Sequence, residues 1–200
     1  MTFARFLDEE TQKSHIKRYT DMSQNLNQAL WQHHKDGTKP PSKIDKHDLA
    51  ALDKIARKNI LTKNTWLYSG LRHDPTEMMD SNNIIHFPSF LSTSEELSVA
   101  TIFAIRGSWR VNSYLKPGEP LIPADILAIK AKKGQYAADL SKKSIEKESE
   151  RMLPRNTKIK VNPNPEIFKN GDYFNGIPIH IKPEESLRIW TAEIVSQEWD

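Results

Sequence analysis

Cysteine is absent from the 200-residue chain, and this excludes a disulfide scaffold, cysteine-liganded zinc, iron–sulfur clusters and a thiol nucleophile. Chemistry is left to hydroxyls, carboxylates, His, Lys and Arg. Long apolar runs are also missing. No stretch approaches the ~18 apolar residues of a membrane span, and the start, MTFARFLDEETQKSH, lacks the run of about 7–15 apolar residues that a secretory signal needs. The expected location is the cytoplasm, either of the cell that makes the protein or of a host into which it is injected. There is no strong charge of one sign either: 29 basic residues against 26 acidic ones leave a net +3, which does not make a nucleic-acid-binding surface. The seven His residues show no ligand spacing such as His-Glu-x-x-His, so no metal is expected. What the chain does contain, 37% hydrophobic residues in a mass of 23.1 kDa, is enough for one domain with a core.

From about Glu10 to His34 the apolar residues Ile16, Tyr19, Leu26 and Leu30 recur at helical intervals. The pattern stops at Asp36-Gly37-Thr38-Lys39-Pro40-Pro41, which cannot continue a helix. Leu49, Leu52, Ile55, Ala56 and Ile60 define one face of a second helix. After Trp66 the pattern changes to short apolar or alternating segments punctuated by Pro and Gly, which predicts strands. The clearest are Thr65–Tyr68, Leu127–Ala131, Thr157–Val161 with Lys158 and Lys160 outward, Ile177–Ile181 and Leu187–Val195. One helix, Glu95 to about Ile105, interrupts them, and Phe103 reads as a core residue because that helix is apolar nearly all round. The expected organisation is a helical segment over 1–64, packed on a core over 65–200.

Three motifs stand out. Tyr68-Ser69-Gly70-Leu71-Arg72 closes a strand; a Gly there allows close approach to the backbone, and a nearby Arg can fork onto phosphate oxygens. The plain alternative is a turn Gly beside a surface Arg. Phe90-Leu91-Ser92-Thr93-Ser94 runs directly into the helix, and Ser92-x-x-Glu95 and Thr93-x-x-Glu96 each fit a capping box. In that case Ser94 or Thr93 caps the helix while Ser92 stays on the strand and points into a cleft. In Glu148-Ser149-Glu150-Arg151-Met152-Leu153-Pro154, a strand opening at Glu150 puts Glu148 and Glu150 on one side of the chain, where like charges repel. A solvated charged loop is the plain alternative.

In this order, the strand-end Gly, Ser-Thr-Ser before a helix and Glu-x-Glu before a Leu-Pro step resemble the arginine-type mono-ADP-ribosyltransferases over about Trp66 to Val195. In size and in Tyr-Ser-Gly-Leu the chain is similar to the phage-encoded Alt and Mod enzymes within that group. The resemblance implies an α+β fold of two packed, mainly antiparallel β-sheets forming an NAD cleft, with N-terminal helices. It implies NAD as co-substrate, and as partner a target protein bearing an acceptor arginine, such as host transcription or translation machinery, with neither nucleic acid nor membrane. By position, Glu150 matches the catalytic glutamate that holds the nicotinamide ribose. Ser92 matches the serine that orients it, and Glu148 the glutamate that engages the acceptor guanidinium. Ser141 to Lys147 corresponds to the acceptor-presenting turn.

Ser69, Gly70, Ser92 and Thr93 fall on the cofactor-binding motifs. The family carries Arg immediately before the Gly, where this chain has Ser69; Arg72, or Arg106 or Arg110, is then left to contact the NAD phosphates. Trp109 and Tyr114, in the Gly107 to Gly118 stretch with those two arginines, form a candidate segment covering NAD. The alternatives are an NAD glycohydrolase with water as acceptor, a transferase acting on RNA, and an inactive β-rich binding module.

Overall fold

The structure, a computed structural model, describes residues 11, 14–17, 26–32, 34, 46–72, 74–116, 118–141 and 149–198. Residues 11, 14–17, 26–32 and 34 are helical and are followed by helix α1 (Lys46–Lys58). The core then runs β1 (Thr65–Gly70), a short 3-10 turn, β2 (Ile84–Phe87), β3 (Leu91–Ser94), helix α2 (Leu97–Asn112) and β4 (Ala124–Ala131). Seven strands complete it: β5 (Ala138–Asp139), β6 (Glu150–Leu153), β7 (Thr157–Val161), β8 (Glu166–Phe168), β9 (Tyr173–Phe174), β10 (Ile177–Pro178) and β11 (Leu187–Gln197).

Hydrogen bonds link the strands in the order β2-β7-β11-β4-β1-β3-β6-β5, with β8 also on β11 and β9/β10 forming a separate two-stranded sheet. Every pairing is antiparallel except β4 with β11. The fold is therefore α+β with mainly antiparallel pairing, as expected. The ladder narrows at one place: β1 pairs with β4 from Thr65 to Gly70, but with β3 only through Tyr68 and Ser94. Beyond this junction β3 and β6 turn their inner residues, Leu91 and Leu153, onto the same core as Leu67, Leu127, Ile129, Ile159 and Trp190 of the larger part. Their outer residue Met152 packs with Phe90, Leu140 and the helical residues Ile16, Leu30, Leu52 and Ile55. A bidentate Arg155–Asp53 pair, 3.0 and 2.7 Å, adds a polar tie between α1 and the β6–β7 turn.

β4 is apolar on both faces because both are covered. Leu127 and Ile129 enter the core between the two parts, while Ile126 and Ala128 pack with Ala100 and Ala104 of α2. Asp125 interrupts that run without penalty, since its carboxylate accepts from Arg188 (2.6 and 2.9 Å) and from the Trp190 indole N–H (2.7 Å). On the same face as α2, β9 and β10 meet at Asn175-Gly176, both at positive φ, the two-residue turn that Asn-Gly favours. This hairpin sets Phe174 edge-on to Trp66 and Tyr68 at 5.8 and 6.3 Å.

α2 departs most from expectation. It runs seven residues past Ile105, because Gly107 does not break it: the buried glycine lets the chain leaving β1 pass, and an added Cβ would sit 3.3 Å from the Leu71 carbonyl oxygen. Trp109, Arg106 and Arg110 are thus helical and exposed on the side of α2 turned away from the sheet, so no loop forms there to cover NAD, and of the three arginines Arg72 alone stands at the exit of β1. Nor is Phe103 a core residue, since it is 45% exposed and the buried face is formed by Leu97, Ala100, Thr101, Ala104 and Gly107. The expected strand Ile177–Ile181 shrinks to its first two residues: Ile179 still bonds Asp172 and Gly171, but the Asp172 N–H turns to the Lys169 carbonyl and regular pairing ends there.

His34 and His86 meet edge-on at 4.9 Å where the helical residues touch β2. Burial, then His34 and Lys158, hold the His86 imidazole below its usual pKa, opposed by Asn156 and Glu198. A histidine less basic folded than unfolded supports stability above about pH 6.5, and that support is lost as the pH falls through the lowered folded value. The thermal midpoint should drop between about pH 7 and 5, and the drop should be smaller in His86→Gln; calorimetry across that range reads both.

Candidate active site

The site is built by the β1–β3–β6 junction. Tyr68 pairs with Ser94, and Ser94 pairs with Glu150, so their side chains stand in a row on one face of three adjacent strands. Ser92 is two residues from Ser94 on the same face, diagonal to Glu150. Ser92 and Glu150 are both half-buried, between core and solvent. The Tyr68 hydroxyl is pushed to a higher pKa by burial, partly offset by the Asn175 side chain.

The two neighbours of Glu150 are tied down. The Ser149 hydroxyl donates to Glu96 at 2.6 Å and the Arg151 Nε to Glu95 at 2.7 Å, while Arg151 also faces Asp139 at 3.4 Å. The Glu95 N–H bonds the Ser149 carbonyl, and the Leu140 N–H bonds that of Glu150 itself. Glu95 and Glu96, expected to close capping boxes, instead clamp the approach to Glu150. Glu96 sits at the N-cap with no side-chain cap bond, and the Glu96 N–H donates to the Ser94 hydroxyl at 3.0 Å. No sequence spacing links residues 95 and 96 to 149 and 151; only the antiparallel register of β3 and β6 does.

The other motif residues are placed as follows. Ser69 is buried, and its hydroxyl donates to the Ser92 carbonyl at 2.9 Å, stitching β1 to β3 where the ladder is thinnest. Thr93 is buried with its hydroxyl on the Arg151 carbonyl at 2.9 Å. Gly70 ends β1 at an ordinary φ, and the close approach it permits is that of α2. Arg72 is exposed and lines a cavity of about 380 Å³ with Asp74, Glu77, Ser108, Asp125 and Arg188. In it, Arg188 is taken up by Asp125 and, at 2.8 Å, by Asp74. Glu148 and residues 142–147 of the expected turn lie outside the described residues. Removing the Ser69 stitch should be measurable. Ser69→Ala is expected to cost about 1 kcal/mol, one net hydrogen bond, as read by chemical denaturation.

Compared by sequence, the chain matches no protein-family model and no curated protein. Its fold does match solved structures. Plx2a, an ADP-ribosyltransferase toxin from Paenibacillus larvae, aligns with TM-score 0.63 at 20% identity over 94% of this chain and 87% of that one. C3stau2 from S. aureus, solved with NAD, gives 0.58 at 17% over 94% and 88%. The ADP-ribosyltransferase Vis in complex with agmatine gives 0.54 at 14% over 93% and 74%. The chain has the fold of the ADP-ribosyltransferase toxins.

Proposed function

We propose that this protein cleaves NAD at the nicotinamide–ribose bond and transfers ADP-ribose to an arginine side chain of a target protein. The observation that carries this reading is the alignment of Tyr68, Ser94 and Glu150 across β1, β3 and β6, with Ser92 beside them, in a fold shared with ADP-ribosyltransferase toxins.

The chemistry suits these residues. Nicotinamide departs neutral from a cationic pyridinium, so the bond needs charge stabilisation and positioning more than a strong acid. The Glu150 carboxylate, its two neighbours fixed by Glu95 and Glu96, stabilises the positive charge that develops on the ribose, and Ser92 orients it. With the Ser69 hydroxyl already engaged by Ser92, Arg72 at the exit of β1 is the cation offered to the pyrophosphate. Glu148 orients the acceptor guanidinium and takes its proton as nitrogen attacks the ribose carbon, since a protonated guanidinium is a poor nucleophile.

The test is incubation with labelled NAD and agmatine. The wild type should release nicotinamide and form ADP-ribosyl-agmatine. Glu148→Gln should keep NAD hydrolysis but lose transfer to agmatine. Free ADP-ribose as the wild type's sole product would instead make the protein a glycohydrolase.

A further inference from the structure

The outward face of α2 is left unused by the proposed chemistry. Leu97, Ala100, Thr101, Ala104 and Gly107 point to the sheet, so the 3.6-residue period puts Ile102, Arg106 and Trp109 in line on the opposite side, flanked by Phe103 and Arg110. Ile102 is 50% exposed, Trp109 49% and Tyr114, just past the helix, 90%. A soluble surface rarely collects so many large apolar side chains on one helix without a use for them.

Two of them are held in place. Trp109 donates its indole N–H to Glu185 at 2.9 Å and lies under the Lys182 ammonium at 4.8 Å, while the Arg106 guanidinium sits 6.0 Å from the Phe103 ring. An aromatic fixed before binding loses little entropy when a partner covers it, which is how Trp, Tyr and Arg come to dominate interface energetics. The face also has a sign: Leu97 to Lys116 contains Arg106, Arg110 and Lys116 and no Asp or Glu.

We propose that this face of α2 docks the acceptor protein, through a patch on that protein that combines acidic side chains with an apolar pocket. The inference rests on the transferase reading above. A protein fits better than a nucleic acid, because Ile102, in the middle of the face, gives a strand of bases nothing to stack on. Two or three cations are also few for a phosphate track. The helix that carries the face packs on the end of β1, where Phe103 Cβ is 3.0 Å from where a Cβ on Gly70 would be. A protein seated there is held on the helix that packs against β1, the strand that brings Tyr68 opposite Ser94.

The experiment compares a small acceptor with protein acceptors. Wild type, Arg106→Glu/Arg110→Glu and Trp109→Ala are each given labelled NAD with agmatine, or with soluble bacterial and animal-cell extracts. Both variants should modify agmatine at the wild-type rate, while labelling of the wild type's protein bands falls roughly tenfold or more. Protein labelling unchanged in both variants overturns the docking face, as does a parallel loss on agmatine, which would put these residues in the chemistry. Agmatine modified by the wild type with no protein labelled in either extract also overturns it. An inert wild type overturns the transferase reading first, and this one with it.

Discussion

Glu150→Gln should slow NAD cleavage by about 10²- to 10³-fold, the usual loss when one preorganised electrostatic partner of a transition state is removed. The folded protein should be unchanged. The substitution keeps the shape of the side chain and its place at the first residue of β6, opposite Ser94, and the clamps on Ser149 and Arg151 do not involve the carboxylate. What is lost is negative charge beside a ribose that becomes cationic as nicotinamide leaves. The defect should therefore fall on kcat, with KM for NAD little altered, because the ground-state ribose is neutral. Nicotinamide release measured at saturating and limiting NAD separates the two. An unaltered kcat would remove Glu150 from the chemistry and leave the inactive-module alternative standing.

The parts of this molecule legible in the sequence are those fixed by local pattern. β7 matches its expected bounds, Thr157–Val161, because Thr157, Ile159 and Val161 alternate with two lysines in a strand covered on one face. The start of β4 was hidden by Asp125, whose burial makes sense only once Arg188 and Trp190, more than sixty residues away, supply the donors. Gly107 reads as a breaker in one dimension and is a close-packing residue in three. Asn175-Gly176 carries a local hairpin signal, but β9 and β10, at two residues each, are too short to show an alternating pattern on either side of it.

The site divides along the same line. Ser92 and Glu150 were legible as motifs, and the β3–β6 register puts them on one face. The hydroxyls of Ser69 and Thr93 look like cofactor contacts in sequence but are spent on backbone carbonyls of neighbouring strands. Glu95 and Glu96 look like helix caps and act across the junction. Each of these bonds spans at least 23 residues, and such pairings follow from strand order, which periodicity does not encode.

Gly70→Ala should be the most damaging added methyl among the described glycines. The motif reading gives Gly70 to a ligand, but the space over its Cα is filled by α2: a Cβ would lie 2.4 Å from the Ala100 carbonyl oxygen and 2.5 Å from the Ala104 nitrogen. Both are backbone atoms of a continuous helix, so neither can rotate aside, and relief requires α2 to lift from β1. Lifting it would uncover the packing of Ala100 and Ala104 on Ile126 and Ala128. The cost should exceed the ~3 kcal/mol at the upper end of ordinary overpacking, a large share of the about 5–15 kcal/mol that stabilises a domain. Gly70 has no positive φ, so backbone strain adds nothing and the effect is steric alone. Gly107→Ala is the matched control. Its Cβ would meet the Leu71 carbonyl oxygen at 3.3 Å and the Arg72 Cα at 3.4 Å, gaps that a shift of tenths of an ångström relieves, while replacing a mid-helix glycine recovers up to about 1 kcal/mol of helix propensity. In thermal melts Gly70→Ala should lose most of its cooperative transition and Gly107→Ala should stay close to wild type. If both melt alike, α2 is not seated on β1 through Gly70, and the helix face argued to dock the acceptor protein loses its fixed relation to Glu150.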